Sequence, residues 1–216
     1  MSADHPPLQN RVDPFGALFA SPARGTLMGN RGGRIHTGSR TLTRRRWTSR
    51  RWICCLCAFN NRHRTVWGDS YTELFFLDEV TALCAGHRPC FECRRADALQ
   101  FSAAFASGNS RKPPGADLMD AVLHTERLAS GGRPQPVLRL DGLPDGVMIA
   151  KGAASFAILG NQLMPWYPEG YGAPVPRASP GAADVLTPAC IITALRNGYR
   201  PQWHATAGMA LPVRTS

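Results

Sequence analysis

The chain has 216 residues, 44% of them apolar, with 21 Gly and 18 Pro and a formal net charge of +10; this fits a globular, loop-rich protein of one large or two small domains with ample length for a core. It contains no run of eighteen apolar residues, and Met1-Ser2-Ala3-Asp4-His5-Pro6 lacks the positive start and apolar stretch of a signal peptide. Neither a membrane span nor a secretory leader is expected, and the chain is read as a soluble, cytoplasmic protein.

Residues 1–40 are rich in Pro and Gly with few periodic apolar positions, and an extended, partly ordered arm is expected. Residues 41–108 read as a cysteine module. Within it Trp52 to Phe59 is predicted as a strand, Asn60-Asn61-Arg62 as a turn, His63 to Trp67 as the strand's partner, and Tyr71 to Phe76 as a further strand. Asp78 is the predicted N-cap of a short helix through Leu83 that Gly86 stops. A second helix, Arg94 to about Ser107, places Ala98, Phe101, Ala104 and Phe105 on one side. Residues 109–130 comprise a Pro/Gly linker and an amphipathic helix, Asp117 to Ala129, with Leu118, Met119, Val122 and Leu123 as its buried stripe.

Residues 131–216 look β-rich. Val137 to Leu140, Val147 to Ala150, Phe156 to Leu159 and Gln162 to Pro165 are predicted strands, with turn signals at Asp141-Gly142, Lys151-Gly152 and Gly160-Asn161. Pro168 to Pro180 is a proline-studded loop, and Thr187-Pro188 opens a terminal helix through Arg196, closed by Gly198. The fold class expected is α+β: a small zinc-knuckle module of strands and short helices, then the amphipathic helix, then the β-rich region.

The positive charge is local. From Pro14 to Gly68 there is no Asp or Glu, while Arg24, Arg31, Arg34, Arg40, Arg44, Arg45, Arg46, Arg50, Arg51, Arg62 and Arg64 all lie there. Such a block repels itself unless a polyanion screens it. Guanidinium forks match phosphate oxygens, and Trp47, Trp52 and Trp67 could stack on bases. A coding preference for arginine would raise the count of Arg but would not deplete acids. Nucleic acid, DNA before RNA, is therefore the expected partner, through Arg40, Arg44, Arg45, Arg46, Arg50, Arg51, Arg62 and Arg64, with His87, Arg88, Arg94 and Arg95 beside the knuckle.

Two groups of cysteines carry the chemistry. Cys54, Cys55 and Cys57 are followed about thirty residues later by Cys90-Phe91-Glu92-Cys93. Two thiols spaced Cys-x-x-Cys present both sulfurs to one point, and Zn2+ is the usual occupant in a reducing compartment. Alternation along a strand pairs Cys55 with Cys57 and turns Cys54 away; a turn there would instead make Cys54 and Cys57 a second knuckle. Cys84 and Cys190 read as packing residues.

The run Phe76-Leu77-Asp78-Glu79-Val80-Thr81-Ala82-Leu83-Cys84-Ala85-Gly86-His87-Arg88-Pro89-Cys90-Phe91-Glu92-Cys93-Arg94-Arg95 resembles the second half of the metal-binding, methylphosphotriester-acceptor domain of the bacterial DNA-repair protein Ada. The resemblance implies a small α+β zinc domain on DNA, Cys90 and Cys93 as two of four zinc-bound cysteines, and a zinc-bound thiolate, with Cys55 the candidate, that accepts a methyl group. The family's first two ligands are spaced Cys-x-x-x-Cys, which this chain lacks.

Pro89-Cys90-Phe91-Glu92-Cys93 also matches half of the zinc deaminase signature, whose His-x-Glu would be His124-Thr125-Glu126 in permuted order. Against that role, His124 shares the polar side of its helix with Asp117, Asp120 and Arg127. Glu92, lodged between two thiols, is expected to pair with Arg88 or Arg95. A third class, a protein-interaction scaffold with a structural metal, needs none of this chemistry.

Overall fold

Short apolar runs separated by turns build a first mixed sheet in the computed structural model, which describes residues 6–62, 65–106, 112–129, 135–137, 140–177 and 183–209. Its strands are β1 (Arg11–Val12), β2 (Leu18–Phe19), β3 (Leu27–Arg31), β4 (Trp52–Leu56), β5 (Leu74–Phe76) and β6 (Arg88–Pro89), in the order β2-β1-β5-β3-β4-β6. The central strand β3 runs antiparallel to β4, with Met28 opposite Cys55 and Gly29 opposite Cys54, and antiparallel to β5. Gly29 is required there: a Cβ would lie 2.2 Å from the Ile53 carbonyl oxygen and 2.8 Å from the Phe76 ring. Residues 11–31, expected in an arm outside the cysteine module, thus supply three strands of its sheet, because β4 and β5 need β3 between them to satisfy their backbone groups.

The helix α1 (Glu79–Cys84) follows β5. Asp78 caps it as expected, its carboxylate accepting from the Thr81 backbone N–H at 2.9 Å, and Gly86 ends it at φ +77°. The parallel strand β6 then returns to the free edge of β4 and delivers the knuckle. Next come α2 (Arg95–Phe105) and α3 (Ala116–Ala129).

A second sheet comprises β7 (Gln135–Val137), β8 (Met148–Lys151), β9 (Ala154–Leu159), β10 (Gln162–Tyr167), β11 (Gly170–Tyr171), β12 (Val175–Pro176) and β13 (Ala183–Val185). Its order is β11-β10-β9-β8-β13-β7, and β12 also pairs with β10. The turns at Lys151-Gly152 and Gly160-Asn161 join tight hairpins, the second with Gly160 at φ +56°. Helices α4 (Ala189–Arg196) and α5 (Ala205–Met209) close the described chain. The fold is α+β with a β-rich C-terminal region. Among the described residues, no helix is long and apolar enough to cross a membrane.

Several expected elements differ: the proline-studded loop from Pro168 holds β11 and β12, and the strand expected from Tyr71 begins at Leu74. The strand from Trp52 stops at Leu56 instead of Phe59. Its expected partner at 63–67 is not a strand over the described part. Thr65 to Trp67 turns instead, held by the Trp67 N–H and indole N–H, which donate to the Glu73 carboxylate (2.8 Å) and carbonyl (3.0 Å). His63 and Arg64 lie outside the described residues. On α3, Met119, Asp120 and Leu123 are buried, whereas Leu118 is 59% exposed. Asp120 is drawn inward by two hydrogen bonds of 2.8 Å from the buried Arg88 guanidinium, which rotates the helix off its apolar stripe.

Apolar packing crosses the boundary expected near residue 131. Leu83, Phe101, Met119 and Leu123 pack in one cluster with Leu140, Ile149, Ile158 and Leu195. Leu77 and Val80 of the α1 region meet Met148 and Met164 in another. Each such fully buried side chain contributes about 1.5–3 kcal/mol, so the second sheet covers the helices that carry the knuckle.

Candidate metal centre

Where β4 meets the segment after β6, three sulfurs converge. The Sγ atoms of Cys55, Cys90 and Cys93 all lie within 4.8 Å of one another. Cys55 arrives from the face of β4 opposite Cys54. Cys90 is held by its N–H donating to the Cys54 carbonyl at 3.0 Å, and Arg94 N–H closes the knuckle onto the Cys90 carbonyl at 3.1 Å. Backbone N–H groups point at the sulfurs: Leu56 donates to Cys93 and Glu92 to Cys90, both at 3.4 Å. Such donors stabilise thiolates and fix their direction.

The trio behaves as one acid system. A hydrogen bond from the Cys55 thiol, aided by the Cys93 and Glu92 backbone, lowers Cys90 to about 5 despite burial. Donation to Cys90 and burial raise Cys55; burial foremost raises Cys93. Without a metal, these shifts favour negative charge on Cys90 over its two neighbours. The donor set fits a soft tetrahedral ion. Bonds of about 2.3 Å imply sulfurs roughly 3.8 Å apart, so the present spacing needs only small side-chain movement.

The other cysteines stand apart. Cys54 is buried in the core of the first sheet, and its sulfur accepts from Arg94 Nη1 at 3.5 Å; burial raises its pKa. Cys57 lies past the end of the strand, exposed, its thiol donating to the Thr26 carbonyl at 3.4 Å. Neither of the two pairings weighed for the first cysteine group forms, because the strand ends one residue too early to carry Cys57 back beside Cys55. Cys84 and Cys190 are held in packing environments, their pKa values raised by burial.

His124 and Glu126 do not join the thiols. His124 packs edge-on to Trp47 at 5.7 Å, and both Glu126 oxygens accept from the Cys190 N–H, at 3.1 and 3.2 Å, capping α4. Neither residue of the permuted deaminase's His-x-Glu therefore reaches the thiols. Glu92 pairs with Arg62 at 2.7 Å, not with Arg88 or Arg95.

The arginines divide into two populations. Arg40, Arg44, Arg45, Arg46, Arg50 and Arg51 are exposed on the long β3–β4 loop, with Arg62 and Arg95 also at the surface. Arg51 pairs with Asp117 at 3.1 Å, whereas Arg40, Arg44, Arg45, Arg46 and Arg50 make no ion pair among the described residues. By contrast His87, Arg88 and Arg94 are buried, which removes them from the expected nucleic-acid surface. Arg88 is committed to Asp120, and Arg94 to Glu79 and Asp97, both at 2.8 Å.

His87 lies in an aromatic box, its ring 5.0 Å from Trp52 and 4.7 Å from Phe76. Two guanidiniums, Arg31 and Arg127, each stack 4.2 Å from the Trp52 ring. Burial first, then the fields of Arg31 and Arg127, hold the His87 pKa well below its ordinary value. The unfolded chain accepts a proton near pH 6.5 that the native state refuses. Stability from this residue is therefore full above about pH 6.5 and is lost below it, by up to about 1.4 kcal/mol per pH unit. Denaturant titrations at pH 7, 6 and 5 should show that slope flattening in His87→Phe relative to wild type; equal slopes would mean His87 titrates normally.

Sequence reasoning missed the residues that border the sulfurs. Asn30 of β3 and Tyr71 line a cleft of about 120 Å³ with the three cysteines, with Arg62 and Glu92 at its sides. Period-two alternation from Met28, which faces Cys55, could have placed Asn30 there; nothing local marks Tyr71. The cleft shares Asn30, Cys90 and Glu92 with a larger groove of about 520 Å³ reaching Gly32, Ser49 and Arg51 at the foot of the arginine loop. No protein-family model, curated protein or solved structure matches the chain.

Proposed function

We propose that the chain binds one zinc ion through Cys55, Cys90 and Cys93 and engages nucleic acid, with DNA favoured, through the arginine loop between β3 and β4. The observation that carries this reading is the convergence of three thiols from two distant segments to within 4.8 Å. Three soft donors near enough to close on one tetrahedral ion favour zinc over harder cations. The resemblance of residues 76–95 to the Ada metal-binding domain supports the same assignment. That family's fourth thiolate has no counterpart among the described residues, so the reading stops at metal binding and does not extend to methyl acceptance.

The metal ties the strand bearing Cys55 to the knuckle and so organises the sheet beneath the loop. Arg40, Arg44, Arg45, Arg46 and Arg50 then form a cationic surface with the neighbouring Trp47, 36% exposed, as a stacking face. Metal analysis of the purified chain tests the first half. Titration of a labelled duplex and a single strand over a salt series tests the second. The triple variant Arg44→Ala, Arg45→Ala, Arg46→Ala should weaken binding similarly across sequences and reduce the log–log salt slope by about 0.9 for each duplex phosphate that is no longer neutralised. A salt-independent affinity, or an unchanged slope in the variant, would instead favour the protein-interaction scaffold.

A further inference from the structure

We infer that the fourth coordination position of the three-thiolate centre is open to the cleft and is filled by a small, exchangeable, neutral donor from outside the chain. This rests on the zinc reading and adds to it what kind of centre the zinc occupies. A zinc site of this kind requires four ligands, and a closed site takes all four from the protein. Among the described residues no fourth Cys, His, Asp or Glu joins the trio.

Each nearby alternative is engaged or enclosed elsewhere. Cys54 lies in the core on the other face of β4, and Cys57 is turned to the Thr26 carbonyl. His87 is enclosed by Trp52 and Phe76. Glu92 is paired with Arg62, its side chain 60% exposed. On the remaining side the three cysteines border the cleft of about 120 Å³. One water takes roughly 30 Å³, so a water or a ligand of a few heavy atoms fits beside the sulfurs. The adjoining groove, which shares Cys90, gives such a ligand a route in from the foot of the arginine loop.

Charge selects the class of donor. A divalent ion with three thiolates carries a net charge of −1, and Arg62 and Glu92, the charged residues lining the cleft, offset one another as a pair. An anion approaching this centre is repelled, whereas water or a neutral nitrogen donor is not. An open position of this kind is the property that separates a reactive metal centre from one that only holds a fold together.

X-ray absorption on the zinc-loaded full chain reads the ligand shell directly. The expected shell is three sulfurs at about 2.3 Å and one oxygen at roughly 2.0–2.2 Å, with imidazole replacing the oxygen by nitrogen and azide leaving it in place. The cobalt form should show the same selectivity as a shift of its visible bands with imidazole alone. Four sulfurs would overturn the inference. So would an oxygen that imidazole does not displace and that Glu92→Gln removes, or a histidine shell in the untreated protein that His63→Ala abolishes. Replacement by azide as readily as by imidazole would overturn the neutral-donor selection. Protein that takes up no zinc at all would instead refute the metal reading on which the inference stands.

Discussion

Cys90→Ser should abolish stoichiometric zinc binding, while Cys57→Ser and Cys190→Ser should retain one ion per chain. Cys90 is the hub of the trio: its sulfur accepts from the Glu92 N–H, takes the Cys55 thiol hydrogen bond, and lines both the cleft and the groove. Loss of an outer-shell partner typically costs 10–100-fold in metal affinity, so removing a ligand should exceed about 100-fold. Competition with a chromophoric chelator measures it. Zinc at about 1,000 times its Kd should stabilise the wild type by about 4 kcal/mol, and the variant by nothing comparable. The pH dependence follows from the thiols. Cys90 is already lowered to about 5, whereas Cys55 and Cys93 are raised. Zinc binding near pH 7 should therefore release about two protons, so affinity falls as pH falls; calorimetry in buffers of different ionisation enthalpy counts them. A Cys90→Ser protein that still holds one zinc tightly would refute the site.

The knuckle was legible because its signal is local. Asp78 as the N-cap, Gly86 as the stop and the Cys-x-x-Cys spacing depend on neighbours within a few residues, and all stand in the fold where the sequence places them. The identity of the third thiol was not local. It turns on where β4 ends, and that is decided by pairing with β3 and β6, strands from either side of it in the chain. The division of the arginines was hidden for a similar reason. Arg88 and Arg94 read as part of a basic surface until Asp120, thirty-two residues on, and Glu79, on the preceding helix, take them into the interior. Period-3.6 reasoning put Leu118 inside α3 because it weighs apolarity alone; a buried ion pair supplied the competing pull. The exposed arginines of the loop were legible, since depletion of Asp and Glu over residues 14–68 leaves them without partners nearby.

Arg94→Ala should be the most destabilising single change outside the thiols, at about 3–5 kcal/mol, because it strands a buried carboxylate. The Glu79 and Arg94 side chains are both 0% exposed and meet at 2.8 Å. Glu79 also accepts from the Tyr199 hydroxyl and from the Gln202 N–H at 2.9 Å. It thereby joins α1 to the segment after α4, while Asp78 does the same by accepting from Tyr171 and the His204 N–H. For a domain of this size the loss corresponds to a fall in Tm of roughly 6–20 °C. Tyr199→Phe, which leaves the ion pair intact, should cost only about 1 kcal/mol. The double variant Glu79→Leu, Arg94→Met should recover only part of the loss, since replacing both charges by apolar side chains avoids the unpaired carboxylate but leaves the Tyr199 hydroxyl and the Gln202 N–H without their acceptor. Arg94 directly follows Cys93 and donates to Cys54, so Arg94→Ala should also lower zinc affinity by about 10–100-fold, and the double variant, though refolded, should recover that affinity less completely. A change below about 1 kcal/mol in Arg94→Ala would mean the pair is replaced by solvent, and Glu79 would then not depend on Arg94 to hold the segment after α4.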